Sequence, residues 1–161
     1  MTEYRTGVGW DVHRIGRNLK LVIGGVVIPC DFGLEGHSDA DVLAHAITDA
    51  LLGAGTLGDI GMHFPDNDPR WAGAGSLQFL SHARDLLLEA GFQIVHIDST
   101  VVLERPKMKD YRNPIREQIA ATLELSLDQV SVKFKTYERV GPVGEELAVE
   151  AHAVVTVRRE R

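Results

Sequence analysis

Ser38-Asp39-Ala40-Asp41-Val42-Leu43-Ala44-His45-Ala46-Ile47-Thr48-Asp49-Ala50-Leu51-Leu52-Gly53 is the stretch around which the fold is organised. Ser38 offers a hydroxyl to a free amide at a helix start, and Asp41 three residues on completes a capping-box pattern. Asp39 and Asp41 suit the positive end of a helix dipole. Val42, Ile47, Ala50 and Leu51 make an apolar face. The spacing predicts a helix that opens at Ser38 and closes at Gly53.

Towards the N-terminus, Gly33-Leu34-Glu35-Gly36-His37 reads as a glycine-bounded loop. Leu19 to Pro29 reads as two short β runs around Gly24-Gly25, a hairpin. Thr6 to Val12 reads as a first strand, with Val8, Trp10 and Val12 at alternate positions. Towards the C-terminus, a long loop from Gly58 to Gly75 precedes a second helix. That helix starts at Ser76, carries Leu77, Leu80, Ala83 and Leu87 on one side, and stops at Gly91. A strand over Ile94 to Leu103 follows, then a helix opened by Asn113-Pro114 and ending near Leu125. Val130 to Thr136 and Leu147 to Arg158 read as the last two strands. The order predicts one α/β (α+β) domain over residues 1–161, with a mixed four-stranded sheet and a small hairpin. Small residues alternate along the last strand, at Ala151 and Ala153, which points to packing against another sheet and so to an oligomer.

The chain has 161 residues and a formal charge of −6, from 23 acidic and 17 basic side chains. That balance argues against nucleic acid or an anionic membrane as partner. It leaves room for a phosphorylated small substrate, because local amides, lysines and metals can outweigh the global sign. Cys30 is the single cysteine, so no intrachain disulfide forms, and a reducing compartment is expected. Met1-Thr2-Glu3-Tyr4-Arg5 resembles neither a signal nor a transit peptide, and no apolar run is long enough to span a bilayer. A cytoplasmic protein is expected.

Five segments can carry chemistry. In Asp11-Val12-His13, residues two apart on a strand point the same way, so a carboxylate and an imidazole converge as metal ligands must. The helix offers Asp41, His45 and Asp49 on one face as further ligands, and two histidines with a carboxylate suit zinc with one position open. Alone, the strand pair also fits a hydrogen-bonded histidine beside a turn aspartate, the commoner case. Gly36-His37-Ser38-Asp39 leads into a helix N-terminus, which can bind phosphate or be a cap only. Gly58-Asp59-Ile60-Gly61 and Phe64-Pro65-Asp66-Asn67-Asp68-Pro69 can hold hydroxyls or a cation, or be Gly/Pro/Asx turns. Arg105-Pro106-Lys107-Met108-Lys109 and Lys133-Phe134-Lys135-Thr136-Tyr137-Glu138-Arg139 each run off a strand, where they can face an anion or solvent.

Taken together, in this order and spacing, these segments resemble the 2-C-methyl-D-erythritol 2,4-cyclodiphosphate synthase family over nearly the whole chain. The run from Gly36 to Asp68 is the most specific part. The resemblance implies an enzyme of the non-mevalonate isoprenoid pathway. In that reaction the 2-phosphate of 4-diphosphocytidyl-2-C-methyl-D-erythritol 2-phosphate attacks its own β-phosphorus, and CMP leaves.

By the same resemblance, Asp11, His13 and His45 are zinc ligands, and Glu138 holds magnesium or manganese between the α- and β-phosphates. His37 and Thr136 assist the transition state, and the Ser38 amide holds phosphate beside Asp11, Val12 and His13. Asp59, Ile60 and Gly61, flanked by Phe64, Pro65, Asp66, Asn67 and Asp68, hold the methylerythritol unit, with Asp66 on a hydroxyl. Leu103, Glu104, Arg105, Pro106, Lys107, Met108 and Lys109 form the cytidine pocket. Lys135, Thr136, Tyr137 and Glu138 face the diphosphate. Asp41 or Asp49, one turn either side of His45, is a candidate to orient its imidazole. The family is a homotrimer: sheets pack around the threefold axis, helices lie on one face, and active sites form between subunits.

The chain departs from the family at Gly141-Pro142-Val143-Gly144-Glu145-Glu146-Leu147, where many members carry a longer loop with an arginine. An isoprenoid diphosphate on the axis is therefore not implied. Position 135 is lysine where many members have threonine.

Overall fold

The computed structural model describes every residue except Ala72. Strict alternation shapes the first strand, β1 (Thr2–Arg17), which is longer at both ends than its apolar positions suggest. From Thr2 to Ile15 its odd-numbered residues face the helices and its even-numbered residues, including Tyr4, Val8, Trp10 and Val12, face away and are exposed; the alternation breaks at Gly16, which is buried. A hairpin follows, β2 (Leu21–Ile23) and β3 (Val26–Ile28), paired antiparallel. Gly24 and Gly25 turn it with φ of 56° and 78°, the left-handed pair that a tight hairpin turn demands.

The expected four-stranded sheet has five strands. Phe32–Leu34, which overlaps the segment read as a loop at Gly33 and Leu34, forms β4 and pairs antiparallel with Ile15–Arg17 at the end of β1. Three residues are too few for a hydrophobic period to register, so only the pairing defines this strand. The remaining strands are β5 (Gln93–Val102), β6 (Val130–Lys135) and β7 (Ala148–Glu160), close to their expected ranges. The sheet order is β4-β1-β7-β5-β6, with β5 and β6 parallel and the other pairs antiparallel.

The first helix, α1 (Val42–Gly55), starts four residues later than its sequence suggests. Ala40 takes a left-handed φ of 53°, which breaks any helix from Ser38, and Asp41 becomes the N-cap, accepting from the Ala44 amide at 3.0 Å. The same buried carboxylate accepts from the amides of Gly24 (2.9 Å) and Gly25 (2.6 Å), tying the hairpin turn to the helix start. Burial pushes the Asp41 carboxyl up to about 6, against the pull of the three amides. α1 packs across β1, β7 and α3 (Ser76–Glu89), so it is buried nearly all round. Val149, Ala151, Ala153, Val155 and Val157 of β7 are buried beneath the helices. A third long helix, α4 (Arg112–Leu123), covers β6. Two single-turn α-helices went unread in the sequence, α2 (Ile60–His63) and α5 (Gly141–Gly144), being too short to show a period. All helices of at least twelve residues lie on one face of the sheet, and no helix among the described residues is long and apolar enough to cross a membrane.

Candidate active site

β1 runs beneath α1 through Gly7 and Gly9, where no side chain fits, and emerges at the helix N-terminus with Asp11 and His13 on the helix-facing side. His45, in the first turn of α1, meets them there. Asp11 Oδ2 lies 2.8 Å from His13 Nε2 and 3.1 Å from His45 Nδ1, and the two nitrogens are 3.2 Å apart. One carboxylate oxygen and two imidazole nitrogens thus converge on one point, a donor set that can hold a metal ion. Zinc at roughly 2.1 Å from each donor holds neighbouring donors about 3.4 Å apart, so the three fit it after a small expansion.

Hydrogen bonds set which nitrogen each histidine offers. His13 Nδ1 lies 2.7 Å from the Glu35 carbonyl, to which it donates, leaving the Nε2 lone pair for the centre. His45 turns Nε2 to Ser76 Oγ at 2.8 Å. Burial works against the Asp11 charge, but the bonds from His13 and His45 outweigh it and hold the carboxyl down at about 2. Burial likewise opposes a charged His13, and Asp11 outweighs it, so the imidazole is raised above its ordinary value. Neither aspartate singled out on the helix bonds to the His45 imidazole; Asp41 meets His45 only through its carbonyl, which accepts from the His45 amide at 3.0 Å. Asp41 is committed to the hairpin, and Asp49 Oδ1 accepts from the Ile60 amide at 2.8 Å, anchoring the next loop.

The three ligands lie in a cleft of about 530 Å³ that also contains His37, Ser38, Ile60, Gly61, Phe64, Pro65 and Asp66. The His37 side chain is 85% exposed and its Nε2 stands 3.9 Å from Asp66 Oδ2, so it is free to turn towards a ligand. Asp59 is engaged as the cap of Ile60–His63, accepting from the Met62 amide at 3.0 Å. Asn67 and Asp68 are not among the cleft-lining residues, and Asp68 is gripped by Arg70 at 2.6 Å, which holds its carboxyl below the ordinary carboxylate value. An aromatic wall closes one side: Phe64 stacks on Phe79 at 4.4 Å and meets Trp71 edge-on at 4.8 Å, and Phe79 stacks on His45 at 5.8 Å. Trp71, Phe79 and Ser76 are site residues that sequence reasoning missed, and Asp39 was read only as part of a helix start that can bind phosphate. Phe79 and Ser76 carried only a helical signal, and nothing local pairs Asp39 with Ser76, 37 residues away.

The other two expected segments lie together elsewhere. The Leu103 amide donates to the Lys135 carbonyl at 3.0 Å, and the Tyr137 amide donates to Glu104 Oε1 at 2.9 Å. Leu103 and Met108 are buried, so they shape the segment from within, while Lys107, Lys109 and Lys135 are exposed and Pro106 is half-buried. Arg105 bonds to Asp31 and to Glu146 (2.7 Å) and lies 4.9 Å over the Phe32 ring, so its charge is taken up by its own chain. Thr136 Oγ1 donates to Glu138 Oε1 at 3.1 Å, and Glu138 and Arg139 both adopt left-handed φ, 51° and 63°. Across the sheet, Val12, Glu150, Val102 and Lys135 stand in one row. Three strand spacings separate Val12 from Lys135, roughly 14 Å.

Comparison with known proteins agrees with this architecture. The YgbB family model matches residues 4–158. The 2-C-methyl-D-erythritol 2,4-cyclodiphosphate synthase of Solibacter usitatus (strain Ellin6076) is 66% identical over 159 residues, covering 99% of this chain and 100% of that protein. A solved CDP-bound form of 2C-methyl-D-erythritol-2,4-cyclodiphosphate synthase superposes with a TM-score of 0.88 at 38% identity, over 94% of this chain and 98% of that one. The bifunctional IspDF of Campylobacter jejuni superposes with a TM-score of 0.95 at 40% identity, where this chain spans 99% of its own length and 43% of the larger protein. A match along almost its entire length places this chain in the YgbB family.

Proposed function

We propose that this protein is a 2-C-methyl-D-erythritol 2,4-cyclodiphosphate synthase, which closes 4-diphosphocytidyl-2-C-methyl-D-erythritol 2-phosphate into the cyclic 2,4-diphosphate with release of CMP. The observation that carries this reading is the convergence of Asp11, His13 and His45 in the cleft beside His37 and Ser38, in a chain 66% identical to such a synthase. A P–O bond forms between the substrate's 2-phosphate and its β-phosphorus, and the bond from that phosphorus to CMP breaks. The substrate supplies the nucleophile, so the protein's task is to position and to stabilise charge. Zinc at the triad and magnesium or manganese at Glu138 supply Lewis-acid polarisation of phosphate oxygens.

The chain's own residues do the rest. The exposed His37 imidazole and the Ser38 amide receive phosphate oxygens. Asp66, with Ile60, Gly61, Phe64 and Pro65, orients the methylerythritol unit. Thr136 donates to the transferring group. The segment Leu103 to Lys109 receives cytidine; a solved relative is a CDP-bound form, so a cytidine nucleotide is a ligand of that protein.

The distance across the sheet supports a site shared between subunits. A protomer carries Asp11 and His13 on β1, His45 on α1, and the Thr136–Glu138 segment three strands from β1, which favours an arrangement in which a second copy brings one half to the other. The exposed outer face of the sheet, with Val8, Trp10, Val12 and Val154, suits the packing of copies in a homotrimer.

Phosphorus NMR of a reaction with the nucleotide substrate, zinc and magnesium tests the proposal. CMP and cyclic diphosphate are expected in equal amounts. A linear diphosphate with CMP indicates attack by water and a hydrolase, and no CMP from folded, metal-loaded protein defeats the reading.

A further inference from the structure

If His45 offers Nδ1 to the triad, its other nitrogen has to be accounted for. Nε2 points at Ser76 Oγ, 2.8 Å away, with Ser38 Oγ at 3.3 Å. Ser76 is fully buried at the first position of α3. Its hydroxyl bonds to Asp39 Oδ1, and its amide donates to Asp39 Oδ2 at 2.9 Å.

The direction of this chain follows from its last member. An ionised carboxylate only accepts, so the single hydroxyl proton of Ser76 goes to Asp39. Ser76 Oγ is then left as an acceptor towards His45. With a metal held by the triad, the hydrogen of the neutral imidazole would therefore sit on Nε2, and the Nδ1 lone pair would be the one turned to the metal. We infer that Ser76 and Asp39 form a relay that locks His45 in its Nδ1-ligating tautomer and orientation, and thereby set the metal affinity of the triad.

Both are positioning residues, and the inference rests on reading the triad as a metal centre. Capping does not explain the hydroxyl. Gly75, the N-cap of α3, makes no side-chain cap bond, and Asp39 already serves the helix through the Ser76 amide. The hydroxyl is a separate bond, aimed at His45. Asp39 also accepts from the Asp41 amide at 3.2 Å and follows His37 and Ser38 directly, so one carboxylate ties the phosphate-facing segment to the metal ligand.

Ser76→Ala separates the two roles, because it keeps the amide bond to Asp39 and removes only the hydroxyl. Zinc affinity, measured by competition with a chromophoric chelator, is expected to fall by about 10–100-fold. Nitrogen-15 NMR of the imidazoles in zinc-loaded protein is expected to show His45 metal-bound at Nδ1 and in the Nε2–H form in the wild type, and losing that preference in the variant. Asp39→Asn, which keeps the shape and removes the charge, is expected to shift both readouts the same way and serves if Ser76→Ala does not fold. Ser81→Ala, five residues further along α3 and with its hydroxyl donating to the Leu77 carbonyl at 3.2 Å, is expected to match the wild type. A wild-type protein that takes up no zinc defeats the triad reading and the relay with it. Undiminished zinc affinity in Ser76→Ala, with His45 still in the Nε2–H form, overturns the relay and leaves the triad standing.

Discussion

Gly9 lies so close beneath α1 that a Cβ on it would fall 1.9 Å from the carbonyl oxygen of Ala46. This contact sets the spacing of the site, since Asp11 is two residues further along β1 and His45 precedes Ala46 on the helix. Gly9→Ala therefore has to push the helix from the strand. Overpacking of this kind costs about 3 kcal/mol. A lower urea midpoint and weaker zinc binding are expected together. A variant with wild-type stability would show that α1 can shift freely, and that the strand–helix contact does not hold the triad.

Proton and metal compete at the triad. In the metal-free protein the raised pKa of His13 adds stability that is fully present below about 6.5 and lost as pH rises through its elevated value. The lowered pKa of Asp11 adds stability that is present above about 3.8 and lost as pH falls towards about 2. Zinc requires the neutral imidazole, so its affinity runs the other way and rises with pH, by up to about tenfold per unit while one proton is displaced. Chelator competition over a pH series checks this. An affinity that stays flat between about pH 6 and 8 would mean that His13 does not exchange a proton for the metal.

Trp10 and Val8 are 62% and 68% exposed on the outer face of the sheet. Burying such side chains is worth about 1.5–3 kcal/mol each. Trp10→Glu puts a charge into that face and is expected to yield a folded monomer in sedimentation, with zinc binding retained and turnover largely lost. A fully active monomer would refute a site shared between subunits.

Glu138 holds a left-handed φ of 51°, which costs a non-glycine residue about 1 kcal/mol. Glycine relieves that strain and adds a similar entropic cost in the unfolded chain. Glu138→Gly is thus expected to leave the melting temperature nearly unchanged while it abolishes the response of activity to added magnesium. A large drop in stability would assign the carboxylate a structural task instead.

Local sequence made several elements legible because each rests on contacts within a few residues. The Gly24-Gly25 hairpin is a turn requirement, and the helices from Val42 and Ser76 show their apolar period. The shared direction of Asp11 and His13 follows from the two-residue repeat of a strand. The choice of Asp41 over Ser38 as N-cap was not legible, because it depends on the Gly24 and Gly25 amides arriving from the hairpin.

What the amino-acid order determined alone was the longer elements, the ligand types and the family resemblance. Tertiary structure decided the rest. It made Phe32–Leu34 a fifth strand through pairing with β1, engaged Arg105 with Asp31 and Glu146, and brought Asp39 and Ser76 behind His45. Those outcomes hang on partners from 15 to 74 positions away. No local period encodes them; they exist only once the sheet is assembled and the helices are seated on it.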